Sequence, residues 1–415
     1  MMRIIHTADW HIGQTLAGYA RDHEHAAVLD ALVDVVKARA ADALLISGDV
    51  FDHQNPSGEA QRLFYATIVK LKAARPALQI VVTAGNHDAA GRLEAPHVVL
   101  QSLGVHVVGS VRRRGGMIDA GRHLVALRNA SGEAVANVLA VSYPTAGCLP
   151  PLASLVTDDG SSPVVEATRA LYAEIAERSG ALASPLPLIV MGHLHVAGGL
   201  ESEGAERRIL VGGQHAVPAS IFPEAARYVA LGHLHRAQAI GRETIRYSGS
   251  LLPLSAAELG YAHGVTLLTL DGDATRIEHI PLPRPVPFLR VPERGVMRFS
   301  DVAAHLAELA LPADVPLEWR PFVQLCLSRE GLPPGFRAEL DAVLQAFPVR
   351  LVASTVEAAA SGATVAAANE PMAQLSSLSP DTLFAQAFER EHGGAPSPAH
   401  VAAFHEAYAA ASGEQ

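Results

Sequence analysis

Five short segments gather the side chains that could do chemistry. They are Asp9-Trp10-His11, Gly48-Asp49-Val50-Phe51-Asp52, Gly85-Asn86-His87-Asp88, Gly192-His193-Leu194-His195 and Gly232-His233-Leu234-His235. Carboxylates, imidazoles and a carboxamide make up this set. Such donors suit borderline-hard divalent ions such as manganese or iron better than a thiolate site would. A pair of these ions, about 3.5–4 Å apart, is the usual device for in-line attack on a phosphate ester. One ion activates water, and both stabilise the charge that builds on the phosphoryl oxygens.

The elements that must position these residues follow from hydrophobic patterning. Strands are predicted over 3–6, 44–47 and 79–83, with helices between them over 21–40 and 57–72. Val28, Leu32, Val35 and Val36 share one face of the first helix, and Pro56 and Ser57 mark the start of the second. A further helix is expected near 93–103. This βαβαβ order predicts an α/β layered domain with parallel strands. More strands are expected over 123–128, 138–142, 188–191, 208–211, 228–231 and 265–270, with a hairpin-like pair over 237–247. Each of the five segments follows a predicted strand. In open α/β sheets ligands bind at the carboxyl ends of the strands, so the five should converge on one edge.

Five prolines between 281 and 292 break the pattern and predict a boundary after a catalytic domain over 1–280. A small βαβαβ unit is expected over 281–355, from segments 288–291, 301–311, 322–327, 336–347 and 349–352. An alanine-, serine- and glycine-rich linker is expected over 356–375. Two short helices then occupy 376–415. Ser379 and Pro380 start the first, Gly393 ends it, and Leu383, Phe384, Ala387 and Phe388 share a face. Val401, Phe404 and Tyr408 share a face of the second. Helices this short cannot bury aromatic faces alone. They either fold back on the catalytic domain or dock in a partner's groove.

At 415 residues the chain is longer than one ordinary domain, and 49% apolar with 18% charged residues suits a substantial core. No run of eighteen uncharged apolar residues is present, so no membrane span is expected. The N-terminus lacks the regions of a signal peptide, which predicts a cytoplasmic protein. Cys148 and Cys326 match no zinc spacing and read as buried thiols in a reducing compartment. The net charge of −10 argues against a strong nucleic-acid binder acting alone. A basic groove or bound cations could still reverse the field locally. Arg112-Arg113-Arg114 reads either as a solvated surface or as a contact to a DNA backbone. Lys37, Lys70 and Lys72 are the only lysines, so positive charge is mostly arginine, the residue suited to bidentate phosphate pairing.

The ordered series Asp-x-His, Gly-Asp-x-x-Asp, Gly-Asn-His-Asp, Gly-His and Gly-His-x-His resembles the calcineurin-like metallophosphoesterase superfamily. The words RIIHTADWHIGQ, LISGDVFDHQNPS, YVALGHLHRAQ and IRYSGSLLPLS are similar to its SbcD nuclease branch. The resemblance covers most of residues 1–275. It implies a layered sandwich of two mixed β-sheets flanked by helices, a small α+β capping domain and a helical C-terminal tail. Position by position, it implies that Asp9, His11, Asp49 and His235 hold one ion, and that Asp49 bridges to a second held by Asn86, His193 and His233. It further implies His87 as general acid, or as stabiliser of the leaving oxygen, with Asp52 orienting it. Two Mn²⁺ per subunit are expected, with Mg²⁺ or Fe²⁺ as alternatives.

The activity implied is a double-strand 3′-5′ exonuclease and a single-strand or hairpin endonuclease acting in DNA repair. The partners implied are DNA and an SbcC-like coiled-coil ATPase engaged by residues 376–415, within a heterotetramer containing two copies of this chain near the nucleoid. A metallophosphatase or cyclic-nucleotide phosphodiesterase is the competing reading, but it would not need the C-terminal extension. A non-catalytic scaffold conflicts with the intact ligand set and His87. Outside that set, His6 and Trp10 read as core packing, His195 as a surplus imidazole near the site or in solvent, and His215 and His263 as ordinary loop residues. His53, beside Asp52, has no assigned role.

Overall fold

The computed structural model describes residues 1–114, 116–129, 131–150, 162–202 and 216–357, with single positions between 384 and 404. It divides into two compact units, Met1–Ala359 and Ala360–Gln415.

The first unit begins with β1 (Met2–Thr7), the small hairpin β2 (Thr15–Leu16) and β3 (Tyr19–Ala20), and α1 (Asp22–Ala38). Then come β4 (Ala43–Ser47), α2 (Gly58–Ala74), β5 (Gln79–Thr83), α3 (Ala90–Glu94), α4 (His97–Ser102) and β6 (Val105–Val108). A second small hairpin, β7 (Arg113–Arg114) and β8 (Met117–Ile118), precedes β9 (Leu124–Arg128), β10 (Ala134–Ala140) and α5 (Pro163–Arg178). The chain continues through β11 (Leu188–His193), β12 (Ala226–Gly232), β13 (Gln238–Ile240), β14 (Arg242–Tyr247), β15 (Gly264–Asp271) and β16 (Ala274–Pro281). It ends in β17 (Phe288–Val291), α6 (Val302–Glu308), β18 (Phe322–Ser328), α7 (Phe336–Leu344) and β19 (Arg350–Glu357).

Two six-stranded mixed sheets form the centre, in the orders β16-β15-β1-β4-β5-β6 and β13-β14-β12-β11-β10-β9. The two-residue period of a strand explains their stacking. Ile4, Leu45 and Val81 point one way and meet Ile189, Met191 and Ala230 of the other sheet. Ile5, Leu44, Ile46 and Val82 point the other way, under Val28 and Leu32 of α1 and Phe64 and Ile68 of α2. Val190, Val229 and Leu231 likewise pack under Leu171 and Ile175 of α5. The result is a four-layer sandwich in which the central strands are buried on both faces. Their sequences are therefore continuous apolar runs instead of alternating ones.

The helix expected over 93–103 is broken into α3 and α4, and Pro96, which has no N–H, stands as the N-cap of α4. Strands β6 and β16 and helix α5 were not expected. Edge strand β16 alternates exposed and half-buried positions and carries Arg276, Glu278 and His279, so it lacks an apolar run. The strand expected over 208–211 and His215 lie outside the described residues, as does the linker beyond Glu357.

The small unit expected after the prolines forms a parallel sheet in the order β17-β18-β19, with its own core of Val291, Met297, Val302, Val323, Leu325 and Leu340. It meets the sandwich through a buried ionic seam. Glu24 of α1 lies 3.0 Å from Arg21 and 3.6 Å from Arg350 of β19, and all three side chains are buried. The Arg350 guanidinium stands 3.6 Å from the centroid of the Phe322 ring, and its Nε donates to the Arg320 carbonyl at 2.9 Å. In the second unit, Phe384 and Phe404 are helical and their rings stack at 4.4 Å, and Phe388 lies 4.6 Å from His400.

Removing Glu24 would leave two buried guanidinium groups without their anion. Glu24→Ala is expected to cost about 3–5 kcal/mol of stability, read as a lower urea midpoint. A loss no larger than that of a surface pair, about 1 kcal/mol or less, would contradict this account of the seam.

Candidate metal centre

Strands β1, β4, β5, β11 and β12 all end on one edge, where β1 is parallel to β4, β4 to β5 and β11 to β12. Each carries one of the five segments at or just beyond its carboxyl end. Among the described residues, seven non-glycine residues have positive φ, and four of them are Asp9 (52°), His11 (46°), Asp49 (49°) and His233 (104°). A non-glycine residue in that region costs about 1–3 kcal/mol, so the surrounding fold must hold these turns in place. Two glycines make room for the turns. A Cβ on Gly48 would enter the His193 ring, and one on Gly85 would collide with Asp49.

The side chains converge as the strand ends require. Ligand atoms of Asp9, His11 and His235 lie within 4.8 Å of one another, as do those of Asp9, Asp49 and His193. Asp49 Oδ2 stands 3.3 Å from His193 Nε2 and 3.6 Å from His11 Nε2. Asn86 Oδ1 lies 3.1 Å from both His193 Nε2 and His233 Nδ1. The backbone N–H of His233 donates to Asp9 at 2.9 Å, and that of His87 to Asp49 at 2.8 Å. Asp88 accepts three backbone N–H groups, from Val50, Phe51 and Gly85, and so ties the second segment to the third.

Three imidazoles have Nδ1 engaged away from the centre. Nδ1 of His11 meets Asp52 Oδ1 at 3.0 Å, that of His193 meets the Ser47 carbonyl at 2.8 Å, and that of His235 meets Glu258 Oε1 at 2.8 Å. With Nδ1–H donated to an oxygen, Nε2 keeps its lone pair for a metal. Nε2 of His11 is buried with no hydrogen-bond partner among the described residues. A buried lone pair left in this way, beside two buried carboxylates, fits a cation.

The electrostatics lead to the same conclusion. Burial alone would raise Asp49, but His193, His11 and His87 outweigh it and hold the carboxyl well below the usual carboxylate range. Burial would lower His193, but Asp49 and Asp9 beside it push it up to about 9. Asp9 is raised by its burial, and Asp88 is pushed up to about 6 by burial and by Asp49. His233 is driven well below the ordinary value by burial and by His193. The cluster therefore draws positive charge onto whichever group can carry it.

Several expectations change in detail. His87 Nδ1 meets the main-chain carbonyl of Asp52 at 2.8 Å, while the Asp52 carboxylate is turned to His11 and, at 3.1 Å, to exposed His53. Asp52 thus holds His87 through its backbone and a candidate ligand through its side chain. Ligand atoms of His11, Asp52 and His87 also lie within 4.8 Å of one another; His195 belongs to none of these three groups among the described residues and lies 3.3 Å from Glu201. His6 is buried against the Tyr228 hydroxyl at 2.9 Å and lowered to about 3 by burial, as core packing implies. His263 is not an ordinary loop residue: it is buried and bonded to Ser250 and Glu258. Arg113 pairs with Glu174 at 3.3 Å, whereas exposed Arg112 shares the Glu94 carboxylate, at 3.2 Å, with Arg122. The Arg114 side chain lies outside the described residues. Glu258 and Asp88 were missed. Asp88 ends a recognised segment, whereas no spacing signal points to Glu258.

Residues 2–237 match the family Calcineurin-like phosphoesterase, and residues 284–392 match Type 5 capsule protein repressor C-terminal domain. The chain belongs to the calcineurin-like phosphoesterase family, within the group of SbcD subunits of SbcCD nucleases. It is 51% identical to the SbcD subunit of the SbcCD nuclease from Rhodobacter capsulatus, over 93% of this chain and 94% of that one. It is 30% identical to the SbcD subunit from Escherichia coli, over 85% of this chain and 84% of that one. With the Bacillus subtilis protein it shares 39% identity over 64% of this chain and 66% of that one.

In the metal-free protein His193 carries its proton below about 9, and an ion can take only the unprotonated nitrogen. Binding should therefore release a proton at pH 7 and weaken as the pH falls from 9 towards 6, by up to about tenfold per unit for one proton displaced. Calorimetry in buffers of different ionisation enthalpy measures this. Proton uptake, or an affinity indifferent to pH, would contradict it.

Proposed function

We propose that the chain is a two-metal nuclease that hydrolyses DNA phosphodiester bonds as the nuclease subunit of an SbcCD-like complex. The observation that carries this reading is the convergence, around buried Asp9 and Asp49, of ligand atoms from strands distant in sequence. In this reading Asp9, His11, Asp49 and His235 hold one ion. Asn86, His193 and His233 would hold the other, and Asp49 would serve both. Two Mn²⁺ are the proposed occupants, with Mg²⁺ or Fe²⁺ as alternatives. Such ions supply an activated water and positive charge opposite the phosphoryl oxygens. With Nδ1–H given to the Asp52 carbonyl, a proton on Nε2 of His87 can pass to the leaving 3′ oxygen.

The substrates proposed are duplex ends, degraded 3′-5′, and single-stranded or hairpin DNA. Residues 281–355 act as a capping domain that shapes DNA access, and residues 376–415 engage an SbcC-like coiled-coil ATPase. Two copies of the chain assemble with that ATPase in the cytoplasm, near the nucleoid. No described helix is long and apolar enough to cross a membrane, which is compatible with that location. A phosphatase or cyclic-nucleotide phosphodiesterase acting on small substrates is not favoured, because the likeness to the nuclease subunits runs through the C-terminal extension.

Asp49→Ala should abolish turnover on a labelled hairpin and leave neither ion bound; retention of both ions would refute the shared carboxylate. His87→Gln should keep both ions and lose about 10²–10⁴-fold in rate, the usual worth of general acid catalysis. A rate within twofold of wild type would remove His87 from the mechanism. Deleting residues 376–415 should spare Mn²⁺-dependent cleavage but end co-purification with the ATPase, and unchanged co-purification would place the contact elsewhere.

A further inference from the structure

Behind His235 lies a carboxylate that the ligand set does not use. Glu258 ends a short 3-10 turn over Ala256–Glu258, outside the five segments, and it is fully buried. Both its oxygens are engaged. Oε1 meets His235 Nδ1 at 2.8 Å, and Oε2 accepts the Leu254 N–H at 2.9 Å. Its carbonyl faces His263 Nε2 at 3.2 Å, and His263 Nδ1 in turn lies 3.1 Å from the Ser250 hydroxyl.

The loop that carries Glu258 is clamped from the N-terminal side of the site. The Gln14 side-chain amide donates to the Leu254 carbonyl at 3.2 Å, and Arg21 Nη1 donates to the Pro253 carbonyl at 2.7 Å and to Gln14 Oε1 at 2.9 Å. The Gln14 backbone N–H donates to the His11 carbonyl at 2.9 Å. The loop behind His235 and the turn that carries Asp9 and His11 are thus joined by four hydrogen bonds.

A buried carboxylate is costly and would be replaced by an apolar side chain if filling space were its only task. Here it receives Nδ1–H of an imidazole that forms one candidate ligand group with Asp9 and His11. That arrangement fixes the tautomer and ring plane and raises the basicity of Nε2. We propose that Glu258 is the positioning residue for His235, fixing Nε2 as its metal-facing atom, and that the Gln14–Arg21 clamp on residues 253–254 holds Glu258 in place. The proposal rests on the reading of His235 as a metal ligand.

Mn²⁺ titration of the full chain by calorimetry tests it, with Glu258→Ala, Glu258→Gln and Gln14→Ala beside the wild type. The wild type should bind two ions. Glu258→Ala should weaken one site by about 10–100-fold and leave the other within twofold, the usual scale for loss of a ligand's hydrogen-bond partner. Glu258→Gln keeps an acceptor for Nδ1–H without the charge, so it should lose less, with an unchanged thermal midpoint. Gln14→Ala should weaken the same site only. With Co²⁺ in place of Mn²⁺, the visible absorption of the weakened site should shift in Glu258→Gln. Wild-type affinity at both sites in Glu258→Ala and Glu258→Gln would overturn the proposal. Equal weakening of both sites with a lowered midpoint in Glu258→Gln would overturn it too. A wild-type chain that binds no Mn²⁺ would overturn both the proposal and the reading beneath it.

Discussion

Asp9 and Asp49 are two carboxylates almost wholly removed from water, close enough for the Asp49 charge to raise Asp9. Burying one anion costs several kcal/mol after relaxation, and burying two side by side costs more. The protein meets that cost with imidazoles, and His193 takes a proton to do so. Two divalent ions would neutralise the same cluster more completely. The strained turns, the glycines that admit them and the oxygens behind three of the histidines all serve to keep that cluster assembled.

The sandwich explains how residues so distant in sequence meet. Parallel strands within each sheet put successive carboxyl ends on one edge, and stacking the sheets brings the two edges together. Asp9, Asp49 and Asn86 come from one sheet, and His193, His233 and His235 from the other. Contacts such as Asn86 to His193 and Asp9 to the His233 N–H therefore cross between the sheets. Both helix-covered faces are apolar, which leaves the shared edge as the place where polar groups of both sheets can gather.

Much of the fold was legible in the sequence, because each candidate ligand segment lies beside a buried apolar run. β5 has the bounds that patterning predicts, and α2 starts where Ser57 caps it through the Ala60 N–H. β16 escapes notice because it is an edge strand with a polar outer row. α5 does carry a helical period, with Ala167, Leu171 and Ile175 buried four residues apart behind Ser162 and Pro163, so its sequence holds the signal. Glu258 reads as one more acidic residue in a loop, because its meaning comes from His235, its partner across a fold that the local sequence does not encode. Asp52 was recognised as important, but sequence alone could not say whether its carboxylate or its carbonyl would reach His87.

The central claim is that one buried cluster holds two cations with Asp49 between them. Anomalous diffraction at the manganese edge, from crystals of the full chain grown with Mn²⁺, tests it most directly. The account predicts two peaks about 3.5–4 Å apart, on either side of the Asp49 carboxylate. A single peak, or peaks remote from Asp9, Asn86 and His233, would contradict it.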